Sequence, residues 1–368
     1  MGYRRLLFLP LLFLLSLSAA AADPVGSQLA QFDTAGLEAA VPDGARELLD
    51  GAAVDPGTDV SEKLGALIRN AAAQSGEYLR QGLLAAVRLA GIAALCGIAQ
   101  TLIGSGDSKL PVVTVAGSAA VAAVTLADAN AFCRLAGATI GEMNVFSKLL
   151  LPVLLSAGAA SGAAVTAASR APVLLFLCDA VITMLHGFVV PAVYCHLALT
   201  LAQTISGEES LGKIAAMLKT CVSTILRTVL TLFFAYFSLT GLLSGATDAI
   251  ALKTAKLALS TGLPVVGGIM ADAAGAVLTG AKLVRNALGV FGVLVLAATA
   301  AVPFLRIGIQ FVFYKLAAAF SSLCADAALA KLVDGIGESL GLLLGLCGAC
   351  TLLLLIAVFT GMTIGGFA

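Results

Sequence analysis

The chain has 368 residues, 60% of them hydrophobic and 11% charged, with a mean hydropathy of +1.04 and a formal net charge of zero. A soluble domain carries about 25% charged residues and has no means of hiding this much apolar surface, so the composition excludes a soluble enzyme. The chain also lacks the basic runs of a nucleic-acid binder. Its apolar runs are long and lack period-two alternation, which excludes a β-barrel and leaves helices to satisfy the backbone in lipid. The expected fold is therefore all-α: a polytopic membrane protein of about seven transmembrane helices (six to eight), with interfacial or re-entrant amphipathic helices beside them.

Residues 1–22 read as a Sec signal peptide. Arg4-Arg5 form the positive region, LLFLPLLFLLSLS the apolar core, and Ala20-Ala21-Ala22 before Asp23 the cleavage site. The apolar run is short of the ~20 residues of a membrane anchor. Residues 23–82 hold ten acidic and four basic side chains, a net charge of −6, against +4 from residue 83 onward. This acidic stretch is expected outside the cytoplasm. Asp23-Pro24, Pro42-Asp43-Gly44 and Asp55-Pro56-Gly57 signal turns, and Leu64, Leu67, Ile68 and Leu79 suggest an amphipathic helix leading into the membrane. So few apolar side chains build no large core, so the stretch reads as a helical arm and not as an enzyme domain.

Residues 83–368 form the polytopic part. Apolar runs lie near 83–103, 111–127, 149–168, 172–203, 222–246, 287–304, 307–325 and 340–363. Pro191 is expected to divide the long 172–203 run into a kinked helix or a hairpin. Residues 128–148 and 207–221 read either as amphipathic helices lying in the interface or as polar helix ends extending past the bilayer.

Several residues in this part could carry chemistry. Asp179 and His186 are seven apart and share a helix face, and His196 follows in the same run. A carboxylate and an imidazole on one face could relay protons, or could seal a helix contact. Arg88 and Lys315 either snorkel, pair inside the bundle or line a pathway. Gly337, Gly341 and Gly345 form a GxxxGxxxG series that lets helix backbones approach closely in lipid. Cys347-Gly-Ala-Cys350 has the spacing of a thiol–disulfide pair, and equally that of small buried residues in a Gly/Ala-rich helix. Residues 275–282, GAVLTGAK, resemble a phosphate loop only at a glance, since Ala281 intervenes before the lysine and Leu283 follows it. With two histidines and no second CxxC, no zinc site is expected, and no cofactor either. Nothing assembles a nucleophile, a base and an orienting group, so the chain is not expected to be an enzyme.

The segment STGLPVVGG, 260–268, is too apolar for an ordinary loop and too rich in glycine and proline for an ordinary helix. Lys253 and Lys256 precede it and Asp272 follows. Gly262, Pro264, Gly267 and Gly268 would break one membrane segment into two half-helices, either a re-entrant element near 247–286 or an interfacial hairpin. The residues around it, KTAKLALSTGLPVVGGIMADAAGAVLTGAKLVRNALGV, resemble the stage III sporulation protein AE family. The Lys253-x-x-Lys256 pair, the Pro264-Val265-Val266-Gly267 turn, Asp272 and Arg285-Asn286…Gly289 stand in matching order and spacing. The likeness extends over about 220–365 and is architectural over 23–150. It implies a polytopic component of a secretion-like assembly in the mother-cell membrane. That assembly connects the mother cell to the forespore and is needed for late forespore development. The resemblance also implies a partner ATPase and ring-forming partner proteins, besides the lipid bilayer. A stand-alone secondary transporter using Asp179 and His186, and a thiol oxidoreductase using Cys347 and Cys350, are the competing expectations.

Overall fold

Runs of Ala, Leu, Val and Gly with few strong breakers favour helix, and in lipid a helix satisfies its own backbone. The computed structural model describes residues 34–49, 54, 60–103, 112–243, 267–324 and 327–363, the side chains of 60, 103, 239–243 and 267–276 excepted. Two short helices come first, α1 (Thr34–Ala39) and α2 (Asp43–Leu48). Six long ones follow: α3 (Val60–Ile103), α4 (Val112–Gly158), α5 (Ala164–Ser206), α6 (Glu209–Leu243), α7 (Gly267–Cys324) and α8 (Ala327–Thr363). Among the described residues there is no strand.

The long helices exceed the expected spans. Residues 112–127, 128–148 and 149–158 are one helix, and 287–304 and 307–324 are another. Asp128, Arg134, Glu142 and Lys148 lie inside α4, because a charged side chain interrupts hydrophobicity without interrupting helix. Pro152, Pro191 and Pro303 are likewise interior to α4, α5 and α7. Membrane helices tolerate proline when neighbours re-satisfy the freed backbone group, so Pro191 does not divide α5. With 58 residues at 1.5 Å each, α7 is about 87 Å long, well over twice the ~30 Å hydrocarbon core.

Glycines set the breaks that do occur. Gly162 has φ 96° inside the π-helical turn Ala159–Ala163 that joins α4 to α5. Gly207 has φ 72° and caps α5, its N–H donating to the Gln203 carbonyl at 2.9 Å. An L side chain is strained at either position. Gly162→Ala is expected to lower stability by about 1–2 kcal/mol, read as a shift in the thermal unfolding of the detergent-solubilised chain. No shift would mean that the joint has other ways to turn.

The six long helices alternate in direction. α8 pairs Gly335 with Thr200 of α5 and Gly361 with Leu154 of α4, so α5 runs against it and α4 along it. α7 runs antiparallel to α8, with Lys315 at Asp334 and Gly289 at Met362. At the lower end α3 meets α4 and α7 meets α8; at the upper end α4 meets α5. Five stretches are long and apolar enough to cross a membrane, and one of them, Val112–Ser206, contains both α4 and α5. α7 and α8 form the middle of the bundle, with 61% and 56% of their most apolar windows buried; α3, α4 with α5, and α6 have 22–28% and present apolar faces outward. Leu37, Val41, Ala45 and Leu48 of the N-terminal arm are buried as well, with α2 packed on α7 and α1 on α4. Asn70 of α3 donates to the Leu48 carbonyl at 2.9 Å, and α3 runs through residues 82 and 83 without a break.

Candidate functional site

The last helix supplies the charges that join the bundle. Asp334 and Glu338 stand four residues apart on α8, one turn of the same face. They reach different neighbours. Asp334 pairs with Lys315 of α7 at 2.6 Å. Glu338 pairs through Oε1 with Lys219 of α6, and its Oε2 lies 3.9 Å from Nε2 of His196 on α5. One turn of α8 therefore holds three other helices through ion pairs and a histidine.

His196 is 2% exposed and Ser339 1%. The Ser339 hydroxyl donates to the Gly335 carbonyl at 3.1 Å, and Nδ1 of His196 lies 2.8 Å from the same hydroxyl oxygen. With the Ser339 hydroxyl hydrogen on the Gly335 carbonyl, its oxygen accepts from Nδ1, and the Nδ1–H tautomer satisfies both contacts. The other nitrogen, Nε2, is then the lone-pair side of the ring, and it faces Glu338. Glycine allows this proximity. A Cβ on Gly335 would stand 2.5 Å from Cγ2 of Thr200.

A second polar group joins α3, α4 and α7. Tyr314 and Gln310, 1% and 4% exposed, stand four residues apart on one face of α7. Asp128 lies within electrostatic reach of Arg88 and Arg306, and the Arg306 guanidinium sits 5.8 Å above the Phe132 ring. Near the upper end the buried Arg285 donates to the Ser161 hydroxyl at 3.1 Å, tying α7 to the π-helical turn.

The structure separates the Asp179–His186 pair. Both face α4, but Asp179 pairs with Lys148 at 2.8 Å and accepts from Asn144 and Thr183. His186 lies over Gly137, where an added Cβ would be 3.2 Å from Nε2. Arg88 is exposed on α3, and Lys315 is engaged by Asp334. Gly337, Gly341 and Gly345 pack within the chain, the first two against Tyr314 and Phe311 of α7 and the third against Leu226 of α6. Cys347 and Cys350 are free thiols, fully buried in α8. Lys253, Lys256, Gly262 and Pro264 lie outside the described residues. Gly267, Gly268 and Asp272 fall in the first turns of α7, and their side chains are outside the description too. Residues 275–282 are helical throughout, with no loop to wrap a phosphate. Among the described residues no three His, Cys, Asp or Glu side chains gather as a metal-holding group.

Sequence reasoning missed Asp334, Glu338 and Lys219. The signal was present: two acids and a serine among glycines and leucines, with no loop residue after Asp334. A last span starting at residue 340 leaves the two acids outside the membrane, and the 207–221 reading does the same for Lys219, so none of the three carries the expectation attached to ionisable groups within a span.

A model of the family described as stage III sporulation protein AE (spore_III_AE) matches residues 60–365. Over 200 residues the chain is 31% identical to "Stage III sporulation protein AE" of Bacillus subtilis (strain 168), a match that covers 54% of this chain and 50% of that protein. The chain thus spans about half the length of the curated relative it matches. No solved structure matches.

Proposed function

This chain belongs to the stage III sporulation protein AE family, and from that premise we propose that it is a non-enzymatic membrane component of the transport assembly linking mother cell and forespore. The family match over residues 60–365 carries this reading. A structural part is supported by the way the bundle spends its charges: Lys315 on Asp334, Lys219 on Glu338 and Lys148 on Asp179, each pair joining two helices. The partners are other stage III sporulation membrane proteins, an ATPase and ring-forming proteins among them. With residues 23–82 outside the cytoplasm, α3 enters the bundle from that side. The ends of α6 and α7 that flank Lys253, Lys256, Gly262 and Pro264 then face the forespore side, where a broken segment would meet partners.

The test is affinity isolation of the tagged full chain from membranes of sporulating cells after mild crosslinking. Co-purification of an ATPase and ring-forming envelope proteins is the expected result. Recovery of the chain alone, monodisperse and able to move a solute in liposomes, would replace this reading with a secondary transporter. In the same strain Pro264→Ala with Gly267→Leu is expected to stop sporulation while the partners are still recovered. Normal sporulation would remove the broken segment from the pathway.

A further inference from the structure

We propose that His196 is a proton-binding site, reached through a polar vestibule at the lower end of the bundle, whose charged form is held by Glu338. With Nδ1 turned to the Ser339 hydroxyl, Nε2 is the ring nitrogen left to take a proton. Across from it, 3.9 Å away, is the carboxylate oxygen Oε2. That distance is too long for a hydrogen bond and suits a neutral ring. A proton on Nε2 makes it a charged donor, and a small inward movement of Glu338 closes a charge-assisted bond of about 2.8 Å.

The route in is on the page as well. A cavity of about 190 Å³ opens between the lower ends of α5, α6 and α8, lined by Thr200, Gln203, Thr204, Glu209 and Lys331 among others. A water molecule claims about 30 Å³ of liquid volume, so the cavity has room for several, with hydroxyl, amide and charged partners around them. Its wall at Thr200 is one helical turn from the histidine, and the Thr200 hydroxyl donates to the His196 carbonyl at 2.8 Å. The cavity thus ends within one helical turn of His196.

The charges acting on the ring come from Glu338 of α8 and Lys219 of α6. On α4, Cys133 and Arg134 act on Tyr194, which donates to Asn130. Lys219 also decides what kind of cation fits. Its ammonium already occupies Oε1 of Glu338, so a metal ion would meet a bound positive charge and too few ligands, whereas a proton adds its charge on the imidazole itself. Once charged, His196 competes with Lys219 for one carboxylate. Protonation thereby weakens the tie between α6 and α8 and strengthens the tie between α5 and α8.

The chain has two histidines, which makes the test direct. The full chain, labelled with ¹⁵N-histidine and placed in lipid nanodiscs, gives two imidazole signal sets, assigned with His186→Gln. On titration from about pH 8 down to about pH 5, the window in which histidine changes charge, His196 is expected to pass from its neutral form to the imidazolium. Glu338→Gln is expected to lower its proton affinity tenfold or more. Lys219→Gln, which removes the competing cation, is expected to raise it, and serves if the Glu338 variant does not fold. A ring that stays neutral over the whole range, or a midpoint that neither variant moves, overturns the proposal. Either outcome is independent of which proteins co-purify with the chain.

Discussion

Replacing Glu338 with leucine is expected to destabilise the folded bundle by about 2–3 kcal/mol. The figure lies between the ~0–1 kcal/mol of an exposed ion pair and the ~3–5 kcal/mol lost when one partner of a buried pair is removed. Glu338 and Lys219 have side chains 26% and 43% exposed, so neither limit applies alone. The cost arises because Lys219 keeps its charge with no carboxylate opposite, while Nε2 of the buried His196 loses the group it faces. Removing both charges should be gentler. The double variant Lys219→Met with Glu338→Leu is expected to recover most of the loss, since a matched apolar pair leaves nothing unpaired. Equilibrium unfolding of the four proteins of this cycle in mixed micelles gives the coupling. If the double variant loses the sum of the two singles, the pair does not form in a lipid-like environment.

Gly335→Ala is expected to cost about 1–3 kcal/mol, although helix propensity alone would make alanine better than glycine by about 1 kcal/mol. The sign is the test. The new Cβ would stand 2.5 Å from Cγ2 of Thr200. That methyl cannot swing aside cheaply, because the Thr200 hydroxyl is held on the His196 carbonyl and a β-branched side chain in a helix has few rotamers. Thr200→Ser keeps the hydroxyl and deletes the methyl, so it should restore the Gly335→Ala variant to near wild-type stability. A stabilised Gly335→Ala protein would show that α5 and α8 do not approach this closely.

The membrane class, the helical fold and the family resemblance were all legible in the sequence, because they rest on composition, long apolar runs and one quoted motif. Helix limits were not. Hydropathy reports where side chains prefer lipid, and α4 continues through Asp128, Arg134, Glu142 and Lys148 where that preference lapses. Glycine content was no guide either: Gly141 and Gly187 lie inside helices, while Gly162 and Gly207 take positive φ and turn the chain. Periodicity put Asp179 and His186 on one face, but it carries no information about the residue opposite, and Lys148 and Gly137 are what α4 presents there. The Glu338 cluster draws one residue from each of α5 and α6 and two from α8, with 143 residues separating His196 from Ser339. Such long-range meetings depend on how helices pack, and no local pattern encodes them.

The burial of α7 and α8 bears on how the protein is made. Ribosomal synthesis delivers α3 to α6 before the two helices that fill the middle. Until Ala327 and the residues after it emerge, the growing protein is an open shell: Thr200, Leu226 and Leu154 already stand in the membrane with no α8 to meet. Lys219 and His196 wait there without Glu338. The 37-residue α8 then meets partners made before it and reaches three helices within two turns. A chain cut short before that helix keeps most of its hydrophobic length and loses its keystone, leaving polar groups in lipid that quality-control proteases can recognise.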